Sequence, residues 1–232
     1  GTNWLKAECD TISVLVTQSL QASENDDFSF IICSALSELS RSKPLSLSDA
    51  QNELFVKKCI VPSEREITSK LADYFDSSIN KSKNEPLTIE QYKKVSKVLN
   101  AYLLISIQLV EIFEIDDGKY HDLYQDSKKA RTTCYSLCER FANTVSNIFE
   151  QEGGNFLLST SINWRNGTVT PSLAAALVAI SEPINAVRKN LDKVLFENHF
   201  ISIIAKYIDT RVYKMVALKV DWSQPGSIDQ FV

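Results

Sequence analysis

The scarcity of turn-forming residues is the feature that most constrains how this chain can fold. Its 232 residues include only six glycines and six prolines, whereas average usage is roughly 7% and 5%. β-Sandwiches and barrels need a turn signal every ~8 to 12 residues, so few turns and long helices are expected here. The segments between the Gly and Pro positions carry a 3.6-residue hydrophobic period, which is typical of amphipathic helices. We therefore predict an all-α fold, an elongated helical bundle of about six to eight helices.

Two short motifs predict where helices begin. Ser63-x-x-Glu66 and Thr88-x-x-Gln91 match the capping box, in which two side chains satisfy backbone N–H groups of the first helical turn. The first motif follows Pro62, so a helix is expected to start there.

Glycine and proline also predict where the later helices end. A long helix that begins near residue 119 is expected to stop at Gly153 and Gly154. Pro183 is expected to kink or restart the next helix, because proline has no N–H to donate. The periodic segment beyond it, residues 184–215, is expected to form one rod of about 50 Å at ~1.5 Å per residue.

The chain is divided in this interpretation into an N-terminal bundle part, residues 1–90, and a C-terminal bundle part, residues 91–232. Ser227-x-x-Gln230 resembles a further capping box only one turn before Val232. We therefore expect the C-terminal part to be truncated before the end of its parent protein.

The charge balance argues against a nucleic-acid partner. The chain has 25 Lys and Arg against 29 Asp and Glu, a formal net charge of −4. Its basic residues occur singly or in short pairs, whereas binding to the phosphates of a nucleic acid requires them to be clustered on one face. The longest uncharged stretches, residues 98–110 and 166–181, fall short of the ~20 apolar residues that a membrane-spanning helix needs.

The cysteines are odd in number and widely spread, in a chain long enough to fold without disulfides; they are Cys9, Cys33, Cys59, Cys134 and Cys138. Reduced thiols and a cytosolic location are expected. Cys134 and Cys138 are four residues apart, which could place half of a metal site on one helical face. No other closely spaced cysteine pair exists and the only histidines are His121 and His199, so neither a metal ion nor a cofactor is expected.

Catalytic motifs are missing from the sequence. It has no glycine-rich phosphate loop, no Gly-x-Ser-x-Gly and no His-Glu-x-x-His. His121 is expected to be solvated at a helix start, and His199 to be a structural or surface residue in mid-helix. We predict no catalytic residue and no enzyme; a cleft lined by His199 and two carboxylates would instead indicate a helical enzyme domain.

Three blocks in the second half resemble a known family. Residues 92–106 read YKKVSKVLNAYLLIS, similar to its central helix. Trp164 precedes Pro171-Ser172-Leu173, as in its linker and Ser/Ala-rich helix. Residues 200–218 contain Asp209 and Tyr213 in a third similar element. The family is the RINT/TIP group of vesicle-tethering subunits.

The resemblance implies a non-catalytic subunit of the Dsl complex, NRZ in animals, peripheral on the cytosolic face of the endoplasmic reticulum (ER). Such subunits are helical rods that capture COPI vesicles from the Golgi. Their implied partners are other tethering-complex subunits and the N-terminal helical domain of an ER SNARE, with membrane association only through those partners.

Two further interpretations remain open. The same architecture occurs in exocyst, COG and GARP subunits, which act at other membranes, and a helical enzyme domain is less favoured. Trp164, Asp209 and Tyr213 match family motifs and could bind partners. From the residues alone, the two aromatic rings would be core anchors and Asp209 a surface carboxylate or a partner of Arg211 or Lys206.

Overall fold

The computed structural model describes residues 2–22, 48–80, 86–113, 118, 120–158 and 171–212. These residues are almost entirely helical, with no strand among them, which confirms the predicted all-α bundle. In chain order the elements are α1 (Thr2–Ala22), α2 (Asp49–Phe55), a first π-helical turn (Val56–Ile60), α3 (Val61–Asn80), α4 (Ile89–Phe113), α5 (His121–Leu158), α6 (Pro171–Asn190), α7 (Lys193–Leu195), a second π-helical turn (Phe196–Ile201) and α8 (Ser202–Val212).

Packing groups these residues into two compact units. Unit 1 comprises Gly1–Glu85 and Lys94–Leu137, and unit 2 comprises Pro86–Lys93 and Cys138–Val232. The division at residue 90 that the sequence suggested stays a prediction about domains.

The core of unit 1 is built from the apolar stripes of its helices. In α1 the stripe contributes Ile12 and Val16, and α1 packs against the first π-helical turn and α3. Further fully enclosed side chains of this unit include Phe55, Ile60, Leu71, Phe75, Val95, Val98, Leu99, Ala101, Ile105, Leu109, Leu123 and Cys134. In α5 the 3-4 spacing of Leu123, Ser127, Ala130 and Cys134 predicts a buried seam, and all four residues are buried. The α5 seam is therefore confirmed in this unit.

Unit 2 is held together by an aromatic cluster. The ring centroids of Phe141 and Phe200 are 5.3 Å apart, and those of Tyr92 and Phe141 are 5.8 Å apart. Aromatic pairs at such distances contribute about 0.5 to 1.5 kcal/mol beyond the area they bury. Phe149 and Leu195 are equally enclosed, so α5 and the 193–212 segment share this core.

The helix around Pro62 differs from the prediction. The first π-helical turn precedes Pro62, and the Val61 N–H donates to the Val56 carbonyl, five residues back. This wider turn lets the helix continue through a proline that cannot donate an N–H. Ser63 consequently lies inside the helix, and its hydroxyl donates to the Cys59 carbonyl at 2.8 Å.

The helix starts instead at Ser48, whose backbone N–H donates to Gln51 Oε1 at 3.0 Å. The Ser63-x-x-Glu66 capping box is therefore wrong. The Thr88-x-x-Gln91 box is confirmed, with the Thr88 N–H donating to Gln91 Oε1 at 2.7 Å and the Gln91 N–H donating to Thr88 Oγ1 at 3.3 Å.

Two expectations about the later helices are also wrong. α5 continues past Gly153 and Gly154 to Leu158. At Pro183, where a kink or a restart is expected, α6 does not restart but continues to Asn190. The expected rod over residues 184–215 is interrupted after Asn190. There Asp192 caps a new helix, its Oδ1 accepting from the backbone N–H groups of Val194 at 2.8 Å and Leu195 at 3.2 Å.

A disulfide joins Cys9 of α1 to Cys59 in the first π-helical turn, with the Cα atoms 4.9 Å apart. The expectation of reduced thiols is wrong for these two residues. Cys134 and Cys138 are buried and carry reduced thiols, and Cys33 lies outside the described residues. Because disulfides are rare in cytosolic proteins, the cysteines no longer support a cytosolic location.

Breaking this disulfide should destabilise unit 1. The bond closes a loop with a sequence separation of 50 residues, for which the chain-entropy relation gives about 4 kcal/mol. We expect the double variant Cys9→Ser/Cys59→Ser to lower the free energy of unfolding by that amount in urea titrations. Dithiothreitol should lower the midpoint of the native chain but not that of the double variant; a native midpoint insensitive to dithiothreitol would contradict the assignment.

Candidate functional site

The residues singled out by the family resemblance are only partly described. Asp209 lies on α8 and is exposed, whereas Trp164 and Tyr213 lie outside the described residues. Arg211, considered as a partner of Asp209, instead places Nη2 2.5 Å from Glu150 Oε1. The proposed role of Asp209 in partner binding stays a prediction.

The two histidines occupy different settings. His121 is exposed at the first position of α5. His199 lies in the second π-helical turn with its Nδ1 3.9 Å from Glu139 Oε1. The Glu139 carboxylate is half-exposed, and at this distance the contact is longer than a hydrogen bond.

The most chemically distinctive site of unit 1 is a pocket of about 570 Å³ between α3, α4 and α5. We call it the Glu64 pocket. Its polar lining consists of Glu64, Arg65, Thr68, Ser69, Asp126, Lys129 and Thr133, and its apolar lining of Ala72, Ala130 and Tyr102.

Helical spacing brings these side chains to one place. Glu64 and Thr68 are four residues apart on α3, and Asp126 and Lys129 are three apart on α5, so each pair shares a helical face. The neighbouring turns of both faces are occupied by core residues. The pocket therefore interrupts an otherwise apolar helix interface.

Glu64 is the central group of the pocket because only 2% of the residue is exposed to solvent. Its side chain forms no hydrogen bond or ion pair with any residue in the described part of the chain. Burial raises the pKa of the Glu64 carboxyl to about 7, helped by the negative charge of Asp126 and opposed by Arg65 and Lys129. Near neutral pH this carboxyl therefore exchanges between its protonated and ionised forms.

The second carboxylate of the pocket is compensated. Arg65 Nε lies 2.6 Å from Asp126 Oδ2, a charge-assisted hydrogen bond. The same contact raises the pKa of the Arg65 guanidinium. Arg65 is thus paired with Asp126 and not with Glu64.

Tyr102 forms an apolar wall and is itself fixed. Its hydroxyl donates to the Thr68 carbonyl at 2.5 Å, and its residue is 2% exposed. Burial, followed by the nearby negative charges, raises the pKa of the phenol above its ordinary value. Tyr102 therefore stays neutral and presents its ring to the pocket.

The sequence contains a pattern that indicates this site, but the helix start expected at Ser63 hid it. Ile60, Glu64, Ile67 and Leu71 follow a 4-3-4 spacing, which places a carboxylate on a buried apolar stripe. The expected helix start at Ser63 places Glu64 in a solvated first turn. Acidic residues are common there because they interact favourably with the helix dipole. Recognising the continuous helix would have indicated a buried acid.

A second polar cluster lies in unit 2. The Tyr207 hydroxyl donates to Glu150 Oε2, and Arg211 contacts the other carboxylate oxygen. The bond from Tyr207, together with Arg211, lowers the pKa of the Glu150 carboxyl. The three side chains form hydrogen bonds with one another and are partly exposed to solvent. They therefore link α5 to α8 and have a structural role.

Metal and membrane sites were sought in the same residues. Across the described ranges no three His, Cys, Asp or Glu side chains are placed to hold a metal ion together. None of the described helices combines the length and apolar character needed to cross a bilayer.

Comparison of the chain with family models, with curated proteins and with solved structures finds no match. The resemblance to the RINT/TIP family therefore has no support beyond the three sequence blocks.

Replacing Glu64 should remove a pH dependence of stability. The folded carboxyl has a pKa of about 7 against the ordinary value of 4.5, so the folded state binds more protons than the unfolded state between those values. The free energy of unfolding should then fall as pH rises from 4.5 to above 7, by about 3 kcal/mol. Glu64→Gln keeps the shape without the charge, so it should be more stable than the native chain at pH 8 and lose that advantage by pH 4.5.

Urea unfolding of both proteins at several pH values measures this difference directly. Glu90→Gln is the matched control, because the Glu90 side chain is 66% exposed and the variant should follow the native curve. A stability difference between Glu64→Gln and the native chain that stays constant with pH would contradict the buried, proton-exchanging carboxyl.

Proposed function

We propose that this chain is a non-catalytic subunit of a multisubunit tethering complex of the RINT/TIP type. In this role it helps to capture Golgi-derived COPI vesicles at the cytosolic face of the ER. It binds SNAREs or other tether subunits through its helical surfaces. The three sequence blocks support the family, and the all-α fold is what a helical tether requires.

The observation that carries the binding role is an apolar face of α6 that remains exposed in unit 2. Ala174, Leu177 and Val178 lie at positions i, i+3 and i+4 and so share this face, which we call the α6 patch. Leu177 is 43% exposed and Val178 is 70% exposed. Residues 171–181 contain no charged side chain.

The opposite face of the same helix already serves the core. Ala176 and Ile180 are buried, as is Val187 two turns further along. Packing within unit 2 uses only one of these two apolar faces and leaves the α6 patch exposed. Exposed apolar faces of helices commonly receive a partner helix, which is the contact that a SNARE helical domain or a neighbouring tether subunit would make.

A tether of this kind acts mechanically, without a covalent step. It holds vesicle-side and membrane-side contacts in one assembly and raises the local concentration of the SNARE helices that must meet. Several weak helical contacts made together can strengthen the whole by about 10² to 10⁴. Association with the membrane is then indirect, through the bound partners.

A binding assay with defined partners tests the proposal. The 232-residue chain is immobilised and offered the N-terminal helical domains of ER SNAREs, Dsl-type subunits, and exocyst, COG and GARP subunits in parallel. Retention of an ER SNARE domain or a Dsl-type subunit supports the proposal. Retention of neither by the folded chain contradicts it, and retention of an exocyst, COG or GARP subunit assigns the chain to that complex instead.

Val178→Asp should weaken retention of the partner by about tenfold, the factor that corresponds to 1.4 kcal/mol, because a carboxylate would have to be buried in an apolar contact. Its melting temperature should stay close to native, since exposed substitutions change stability by only about 0.5 kcal/mol. Val14→Asp is the matched control, at a valine that is 54% exposed on α1 of unit 1. If Val178→Asp retains the partner as well as the native chain does, the α6 patch is not the surface that binds it.

A further inference from the structure

We propose that the Glu64 pocket is a binding site for a small organic cation, whose primary ammonium or guanidinium group lies against the Glu64 carboxylate. The pocket measures about 570 Å³, within the range of roughly 300 to 1,000 Å³ that small-molecule sites occupy. This site is independent of the α6 patch and of the tethering role.

The charges of the pocket select the sign of the ligand. Arg65 compensates Asp126 through their 2.6 Å contact. Glu64 has no such partner among the described residues, although it lies in the pocket wall and is only 2% exposed. An unpaired carboxylate at this depth is costly, and a cation that donates hydrogen bonds to it forms a charge-assisted pair.

The remaining lining limits the size and charge of the ligand. The ring of Tyr102 and the side chains of Ala72 and Ala130 provide an apolar wall, which suits a short hydrocarbon group attached to the cation. Arg65 and Lys129 also line the pocket and are both exposed. Their positive charges disfavour a second cationic group, so the site fits a singly charged ligand better than a polyamine or a basic peptide.

Binding of the cation is coupled to the proton on Glu64. With a pKa of about 7, the carboxyl is about one-tenth ionised at pH 6 and about nine-tenths ionised at pH 8. A cation that binds only the ionised form should therefore bind about tenfold more tightly at pH 8 than at pH 6. At pH 7, each cation bound should release about half a proton.

Isothermal titration of the 232-residue chain with n-butylammonium tests the proposal. Titrations at pH 6, 7 and 8 give the change in affinity, and titrations at pH 7 in phosphate and in Tris give the protons released, because the two buffers differ in their heats of ionisation. n-Butanol has the same hydrocarbon group without the charge and should show neither effect. Spermine, with several charges, should bind less tightly than n-butylammonium.

Glu64→Gln should bind n-butylammonium at least about tenfold more weakly at pH 8 and should release no proton, while circular dichroism shows its helices retained. Glu90→Gln should bind as the native chain does. The proposal is overturned if the folded native chain does not bind n-butylammonium saturably at pH 8. It is equally overturned if Glu64→Gln binds as tightly as the native chain, or if the affinity is the same at pH 6 and pH 8.

Discussion

The first π-helical turn is the local feature on which the organisation of unit 1 depends. By bonding five residues back instead of four, it lets one helix run from Asp49 to Asn80 through Pro62. The extra residue also rotates the helix that follows. Cys59 lies within this turn and is bonded to Cys9, and Glu64 lies in the following helix on the buried stripe that continues through Ile67.

Burial of Glu64 is a cost that the rest of the unit must offset. Hydrophobic contacts of the surrounding stripe supply about 25 cal/mol for each Å² of apolar surface removed from water, and the Cys9–Cys59 bond restricts the unfolded chain. Unpaired buried acids cluster at functional sites because stability alone does not favour them. A position where the fold tolerates such a group is therefore the place in unit 1 where a ligand would gain most from supplying the missing charge.

The fold class and several core stripes could be predicted from the sequence because they depend on local periodicity. The α5 seam and the Thr88 cap are examples, since each involves residues within a few turns of one another. The errors arose where distant packing outweighed a local signal. Gly153 costs about 1 kcal/mol in a helix relative to alanine, which α5 tolerates. Asp192 is a good N-cap in any sequence, but the hydrophobic period around it hid the break.

The candidate site was harder to predict because its parts come from three helices. Neither Glu64 nor Asp126 belongs to a motif, and the Cys9–Cys59 pairing depends on how α1 packs against the first π-helical turn. A ligand that pairs with Glu64 would stabilise the folded state in proportion to the logarithm of its concentration above its dissociation constant. That stabilisation would remove the ionisation penalty of the carboxyl at the same time. Above pH 7, where ionisation of Glu64 lowers the stability of the empty protein, added cation would raise the occupancy of the pocket and the stability of unit 1 together. A single buried acid would thus make the stability of unit 1 respond to both proton and cation concentrations.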